Sequence, residues 1–326
     1  MKAIVQDRFG SPDVLRLDDV DQPVPGDRDV LVRVQAASVN ARDWHLMRGD
    51  PYLARLSAGM GVRRPKPRVR GTDFAGRVEA VGRSVTRLRP GDEVFGELPS
   101  AFAEYVCGPE DLVERKPANL TFEQAATIPL AANTALVGLR DDARLQPGQR
   151  VLINGASGGV GTFAVQLCRG YGAQVTAVCS TRNVDLVSDL GAEHIVDYTR
   201  DDFVRAGRRY DVVLDLVGNR SLGELRRVLT PEGTLVLSGG GVSKGGSLVG
   251  PMGLMSRAML VSRFVRHRIV VLVAKQSQAN LATLRELAES GTLTPVIDRT
   301  YPLSATADAI RYLETEHARA KVAITV

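Results

Sequence analysis

One stretch limits what this chain can fold into more than any other. Arg150-Val151-Leu152-Ile153-Asn154 is an apolar strand-like run, and Gly155-Ala156-Ser157-Gly158-Gly159-Val160-Gly161 comes directly after it. An apolar helical pattern, Val160–Gly170, then leaves the glycine-rich turn. A strand–loop–helix unit accounts for both the patterning and the lengths. Read as A-x-G-x-x-G, Ala156 permits the tight turn. Gly158 lets a pyrophosphate approach the backbone, and Gly161 lets the helix pack on the strand. The N–H groups of Ser157, Gly158, Gly159 and Val160, with the helix dipole behind them, form an anion site. The run therefore predicts dinucleotide binding.

Strands and helices continue to alternate beyond residue 170. Gln174–Cys179 reads as a strand, Asn183–Leu190 as a helix and His194–Asp197 as a short strand. Val212–Leu216 is a strand, Ser221–Leu229 a helix and Thr234–Ser238 a strand. Such alternation gives a doubly wound parallel sheet. Nearer the N-terminus, Val30–Ala36, Gly76–Val81 and Ala101–Val106 read as strands of a barrel-like β-domain, with a turn at Arg89-Pro90-Gly91-Asp92. Thr121-Phe122-Glu123-Gln124 is a capping box that opens a helix through about Ala126. A second helix is expected over Asn133–Asp142, and a closing strand over Val322–Val326 packs back on the first domain. The fold class is α/β, with a catalytic domain at 1–122, a Rossmann domain at 123–270 and a return to the catalytic domain at 271–326.

The acid that bonds a ribose diol in NAD sites lies about 20 residues past the loop. Here that place holds Ser180, Thr181 and Arg182, with no carboxylate at the strand end. Two hydroxyls and a guanidinium suit a 2′-phosphate, so NADPH is the expected cofactor. Arg182 as a plain surface residue is the bland alternative.

The chain has 326 residues, 24% charged, with a net charge of +5, ordinary for a globular enzyme. Its densest basic run, Arg63–Arg70, holds two prolines and no aromatic residue, so it reads as a solvated loop and nucleic acid is not an expected partner. Three cysteines, Cys107, Cys168 and Cys179, without C-x-x-C spacing, fit a reducing cytoplasm. No signal-peptide or membrane-spanning run is evident, so no membrane association is expected.

With Ser38–Asp43, Gly71–Gly76, Val78–Gly82, Arg89–Gly96, the loop 155–161 and the closing 317–322 considered together, the chain resembles the medium-chain dehydrogenase/reductase superfamily. The resemblance is to its zinc-lacking, quinone-oxidoreductase-like branch. It implies a GroES-like β-domain, split between the chain ends, with a Rossmann domain inserted. It also implies a homodimer. Where zinc-containing members carry a Cys and a Gly-His-Glu stretch, this chain has Asn40, Thr72 and Asp73. Asn40 and Thr72 are poor zinc ligands, so no metal is expected. Without a Lewis acid, hydride addition to a quinone or an α,β-unsaturated carbonyl is the accessible chemistry.

The resemblance places Asn40 beside the substrate, its amide donating to a carbonyl oxygen, though it can equally serve a turn. Tyr52 can hold the substrate oxygen or supply a proton, or simply line the pocket. Asp43 is read as orienting backbone. Thr127, Tyr198, Leu216, Val217, Ser238 and Gly239 are placed at the cofactor. Lys321 resembles a residue that reaches the cofactor region, a solvated lysine being the alternative. The stretch Gly245–Arg268 reads as a lid or pocket wall, or as core packing or a subunit contact. Two other functions stay open: a biosynthetic enoyl reductase, and a non-catalytic NADPH-binding protein.

Overall fold

Val151, Leu152, Ile153, Val175, Ala177, Val178, Val212, Val213 and Leu214 are all buried, as strands covered on both faces require. In the computed structural model, which describes residues 1–56, 60–238, 252–315 and 319–326, they form a six-stranded parallel sheet. Its order is His194–Asp197, Gln174–Cys179, Arg150–Asn154, Tyr210–Asp215, Leu229–Leu237, Arg268–Val271. The order reverses direction at Arg150–Asn154, whose carboxyl end runs into the glycine loop. This is the topological switch point where α/β sheets bind ligands. The sheet belongs to a unit spanning Thr134–Ala274.

The other unit joins Met1–Asn133 to Lys275–Val326. Its seven-stranded sheet is centred on the long strand Asp29–Val39, which pairs with Asp73–Val81 on one side and Lys321–Thr325 on the other. Residues distant in sequence thus share one sheet. Ile4, Val39, Met47, Phe102, Tyr312, Val322 and Ile324 pack as one core on it, and Val30, Val32, Phe74, Val78, Val94 and Val106 as another. Glu114, buried on the strand Val113–Arg115, accepts from Arg285 Nη1 at 2.9 Å and Gln278 Nε2 at 2.7 Å. The return segment is tied to the first segment by charge as well as by strand pairing.

Three expectations change. The strand read at Ala101–Val106 is displaced to Tyr105–Pro109. Ala101–Glu104 is extended but strung between neighbours: the Phe102 N–H donates to the Arg70 carbonyl, and its carbonyl accepts from Ile4. The helix read at Asn133–Asp142 begins earlier, at Pro129, whose fixed φ and missing N–H suit a first helical position. It passes into a π-helical turn, Val137–Asp142. The basic run is not wholly solvated either. Arg63, Arg64, Lys66 and Arg68 are exposed, but Arg70 is buried.

Candidate active site

Two clusters carry chemistry, one in each unit. In the nucleotide-type unit, Gly155 has φ +92°, which bends the chain away from the strand end. A Cβ on Gly161 would sit 2.2 Å from the Gly155 carbonyl oxygen, so this position needs glycine for the helix to seat on the loop. Around Gly158 the space is open: a Cβ there would find only the Gly155 oxygen, at 3.5 Å. The twelve-residue helix Gly159–Gly170 starts immediately beyond it. Ala156 is fully buried, while Ser157, Gly158, Gly159 and Val160 are part-exposed. An open backbone at a helix N-terminus is what a pyrophosphate needs. Two buried acceptors beside the loop, Asn183 Oδ1 and Asp215 Oδ2, have no protein partner. A dinucleotide brings ribose hydroxyls able to donate to such groups, so the residues fit the group.

Asn183 and Asp215 escaped the sequence reading. Asn183 Nδ2 donates to Ser157 Oγ at 3.0 Å and to Ser180 Oγ at 3.2 Å, joining the loop to the end of the next strand. Asp215 Oδ1 accepts from Asn154 Nδ2 at 2.8 Å and from the N–H groups of Val217 and Gly218. That pins the Leu216-Val217-Gly218 turn. Ser238 ends the neighbouring strand, its N–H bonded to the Asp215 carbonyl. Gly239 lies outside the described residues.

At the adenosine end, Thr181, Arg182 and Tyr198 are exposed and Ser180 half-buried. Here the structure corrects one expectation. A carboxylate is available, and the next strand supplies it. Asp197 lies opposite Cys179 in the parallel register and accepts from Thr181 Oγ1 at 2.5 Å and Thr199 Oγ1 at 2.8 Å. The Thr181 bond, above all, holds its carboxyl below the usual range. The Thr181 hydroxyl is thus committed to an acid rather than offered to a phosphate.

In the other unit, strand register assembles the second cluster. Val322 pairs with Val39 and Asp73 with Ser38. Lys321, Asn40, Thr72 and Asp73 therefore meet at one end of three adjacent strands, and all are buried. Asn40 Oδ1 accepts from the Lys321 ammonium, which also donates to the Val39 carbonyl at 3.2 Å. Asn40 Nδ2 donates to Asp73 Oδ2 at 3.0 Å. Ser38 Oγ and the Leu130 N–H also donate to the Asp73 carboxyl. Asp43 accepts from the Asn40 N–H at 2.8 Å and from Thr72 Oγ1 at 3.1 Å, the backbone-orienting part read from sequence. Lys321 is not the solvated lysine of the alternative reading.

Burial dominates the electrostatics. It pushes Asp43 up, and Asp73 up to about 8, with the Lys321 charge opposing the Asp73 shift. It pushes Lys321 and Arg70 down, against the pull of the carboxylates. Glu97, raised by burial, is paired to Arg42 at 2.7 Å. Three cations and three acids thus share this region, and their mutual attraction opposes the cost of burial only in part.

Thr127 is buried, its hydroxyl donating to the Gln124 carbonyl at 2.7 Å. Tyr52 sits 45% exposed on a short 3₁₀ turn, with the Arg55 guanidinium 4.6 Å from its ring centroid. It makes no part of the Asn40 cluster. No group of three or more His, Cys, Asp or Glu residues able to hold a metal occurs among the described residues. No described helix is long and apolar enough to cross a membrane.

Residues 26–118 match the alcohol dehydrogenase GroES-like domain, and 190–324 match a family described as zinc-binding dehydrogenase. The 2-methylene-furan-3-one reductase of Solanum lycopersicum is 36% identical, over 99% of this chain and 79% of its own length. The chain belongs to the medium-chain dehydrogenase/reductase superfamily, in its quinone-oxidoreductase-like branch. The chloroplastic NADPH-dependent alkenal/one oxidoreductase of Arabidopsis thaliana is 35% identical over the same shares. The quinone oxidoreductase structure from Coxiella burnetii superposes with a TM-score of 0.86 at 31% identity, covering 100% of this chain and 99% of that one. NAD(P)H is the reductant of this branch, and the chain is one of its oxidoreductases.

Proposed function

We propose that this protein reduces a quinone or an α,β-unsaturated carbonyl compound with NADPH, without a metal. The observation that carries the reading is the open cradle at Gly158, at the start of a twelve-residue helix and at the sheet's switch point. NADPH, when bound, supplies a hydride; an enone takes it at the β-carbon, its π pair moves onto the carbonyl oxygen, and a solvent proton completes the product.

The residues of the chain hold and orient. Ala156, Ser157, Gly158, Gly159, Val160 and Gly161 bind the phosphates through backbone. Ser180 and Arg182 take the 2′-phosphate, with Tyr198 alongside. Thr181, Leu216, Val217, Ser238 and Thr127 shape the rest of the nucleotide site. Asn40 donates to the carbonyl oxygen as charge develops on it. Tyr52, exposed and stacked on Arg55, holds substrate. A conjugated acceptor needs such a donor and a fixed geometry more than it needs a Lewis acid.

A second copy of the chain is the proposed partner. Arg268–Val271 is the edge strand of the parallel sheet, and Met259, Leu260 and Phe264 before it are exposed. Light scattering on purified protein tests for the dimer. A cytoplasmic location is proposed on the three free thiols.

Incubating the protein with NADPH and a panel of quinones and enones, while following loss of NADPH absorbance, tests the activity. Turnover with either acceptor class is expected. Tight NADPH binding with no turnover of any acceptor would sink the reading.

A further inference from the structure

We infer that Asp73 and Lys321 are positioning residues that set which way the Asn40 carboxamide faces, and so which of its atoms an acceptor meets. This rests on reading Asn40 as the donor to the substrate oxygen.

A carboxamide has two ends of nearly equal shape and opposite hydrogen-bonding character. Half a turn about its last bond exchanges donor for acceptor. Alone, Asn40 would present either end to a carbonyl oxygen, and only one of them attracts it. Here each end has a dedicated partner. The oxygen accepts from the Lys321 ammonium, and the nitrogen donates to Asp73 Oδ2 at 3.0 Å. Reversal would set the amide N–H against the Lys321 ammonium, donor against donor, and leave that contact unmade in a buried place. Unmade buried contacts are costly, which fixes the orientation.

Only one of the two Nδ2 hydrogens is well used in this arrangement. The second has the Ser38 carbonyl at 3.5 Å, beyond the range of a good N–H···O bond. That hydrogen is the one left to meet a substrate. Asp43 does something different. It binds the Asn40 N–H and Thr72 Oγ1, so it holds backbone and leaves the amide alone.

The fold places the two partners by register. Lys321 opens the strand that pairs with one edge of Asp29–Val39, and Asp73 opens the strand on its other edge. Asn40 comes directly after the central strand, so its amide lies between a cation from one neighbour and an acid from the other.

The test is a double-mutant cycle read by steady-state kinetics with NADPH and a simple para-quinone. N40A is expected to lower kcat about a hundredfold, as loss of one oxyanion donor does. D73N is expected to lower kcat about tenfold with both KM values within about twofold, because the donor is misaimed rather than lost. In the N40A background, D73N should add no further loss. A role in stability alone would lower the thermal midpoint and leave kcat of the folded enzyme unchanged. Should D73N fold too poorly to assay, K321Q is read through the same cycle, with the same expectation. Equal losses on both backgrounds, or full kcat in D73N or K321Q, would overturn the positioning role alone. Full activity in N40A would overturn the donor reading and the positioning role together.

Discussion

The Asn40 cluster and the Thr181–Asp197–Arg200 cluster use similar residue types under opposite conditions. Both join a cation, an acid and a neutral polar side chain. At Asn40 the members are buried and each polar end has a partner inside the protein. At Thr181 the hydroxyl and the cation face solvent while the Asp197 carboxylate is partly covered, and salt and water share the field. The first arrangement fixes one atom's direction at the expense of buried charge. The second leaves its charge open to solvent and to a ligand. In the proposed reading, catalytic geometry and cofactor choice are built from alike parts, and dielectric surroundings decide which job they do.

The contrast breaks most sharply at Lys321. K321M leaves the buried Asn40 Oδ1 and the Val39 carbonyl without their donor, and should cost roughly 1–3 kcal/mol of folding stability per acceptor in urea titrations. D73N/K321M replaces the carboxyl and the amine together and should recover part of that loss. If K321M were neutral, the cluster would not be the buried ionic network described.

At the exposed end, R182A should weaken NADPH binding roughly tenfold or more while leaving NADH binding nearly unchanged, by titration of protein fluorescence. Raising the salt concentration should narrow that gap. Equal losses for both cofactors would remove Arg182 from the phosphate site.

Asp197 pulls the other way. Its carboxylate repels a 2′-phosphate and suits a ribose diol, so D197N should raise the NADPH-over-NADH ratio of kcat/KM by a few-fold. An unchanged ratio would mean that its only task is to hold Thr181 and Thr199.

A further effect concerns pH. Asp73 keeps its proton to about 8 in the folded chain, against 3.8 for the unpaired group. The folded state therefore binds the extra proton between those values. That contribution to stability is complete below about pH 4 and is lost as pH rises toward 8. D73N should flatten this decline in thermal midpoints measured across that range. An unaltered slope would place the proton elsewhere in the network.

The glycine loop was legible in sequence because all its requirements are local. Gly155, Gly158 and Gly161 each answer to neighbours within a few residues. The Asn40 cluster was legible only in part. Asn40, Asp73 and Lys321 each stood out by resemblance, but Lys321 lies 281 residues from Asn40, and its bond to that amide follows from strand register alone. Arg70 read as surface because its run is basic and proline-broken, yet it turns inward beneath the strand end. A diol-binding acid is expected at the end of one strand, Gln174–Cys179. The neighbouring strand sets Asp197 opposite Cys179, and sheet order is not visible in a local pattern. Asn183 and Asp215 carried no signal beyond an amide and an acid at element ends.

The strand Lys321–Thr325 sits between Ile297–Pro302 and Asp29–Val39. On a ribosome, residues 134–274 emerge with every strand of their sheet and can fold while synthesis continues. The earlier-made β-domain must wait, its central strand carrying an open edge, until Lys321–Thr325 leaves the exit tunnel. Until then an aggregation-prone edge stands exposed, and the donor amide at its end has no ammonium to aim it. Emergence of that one strand both closes the sheet edge and brings Lys321 to the Asn40 amide.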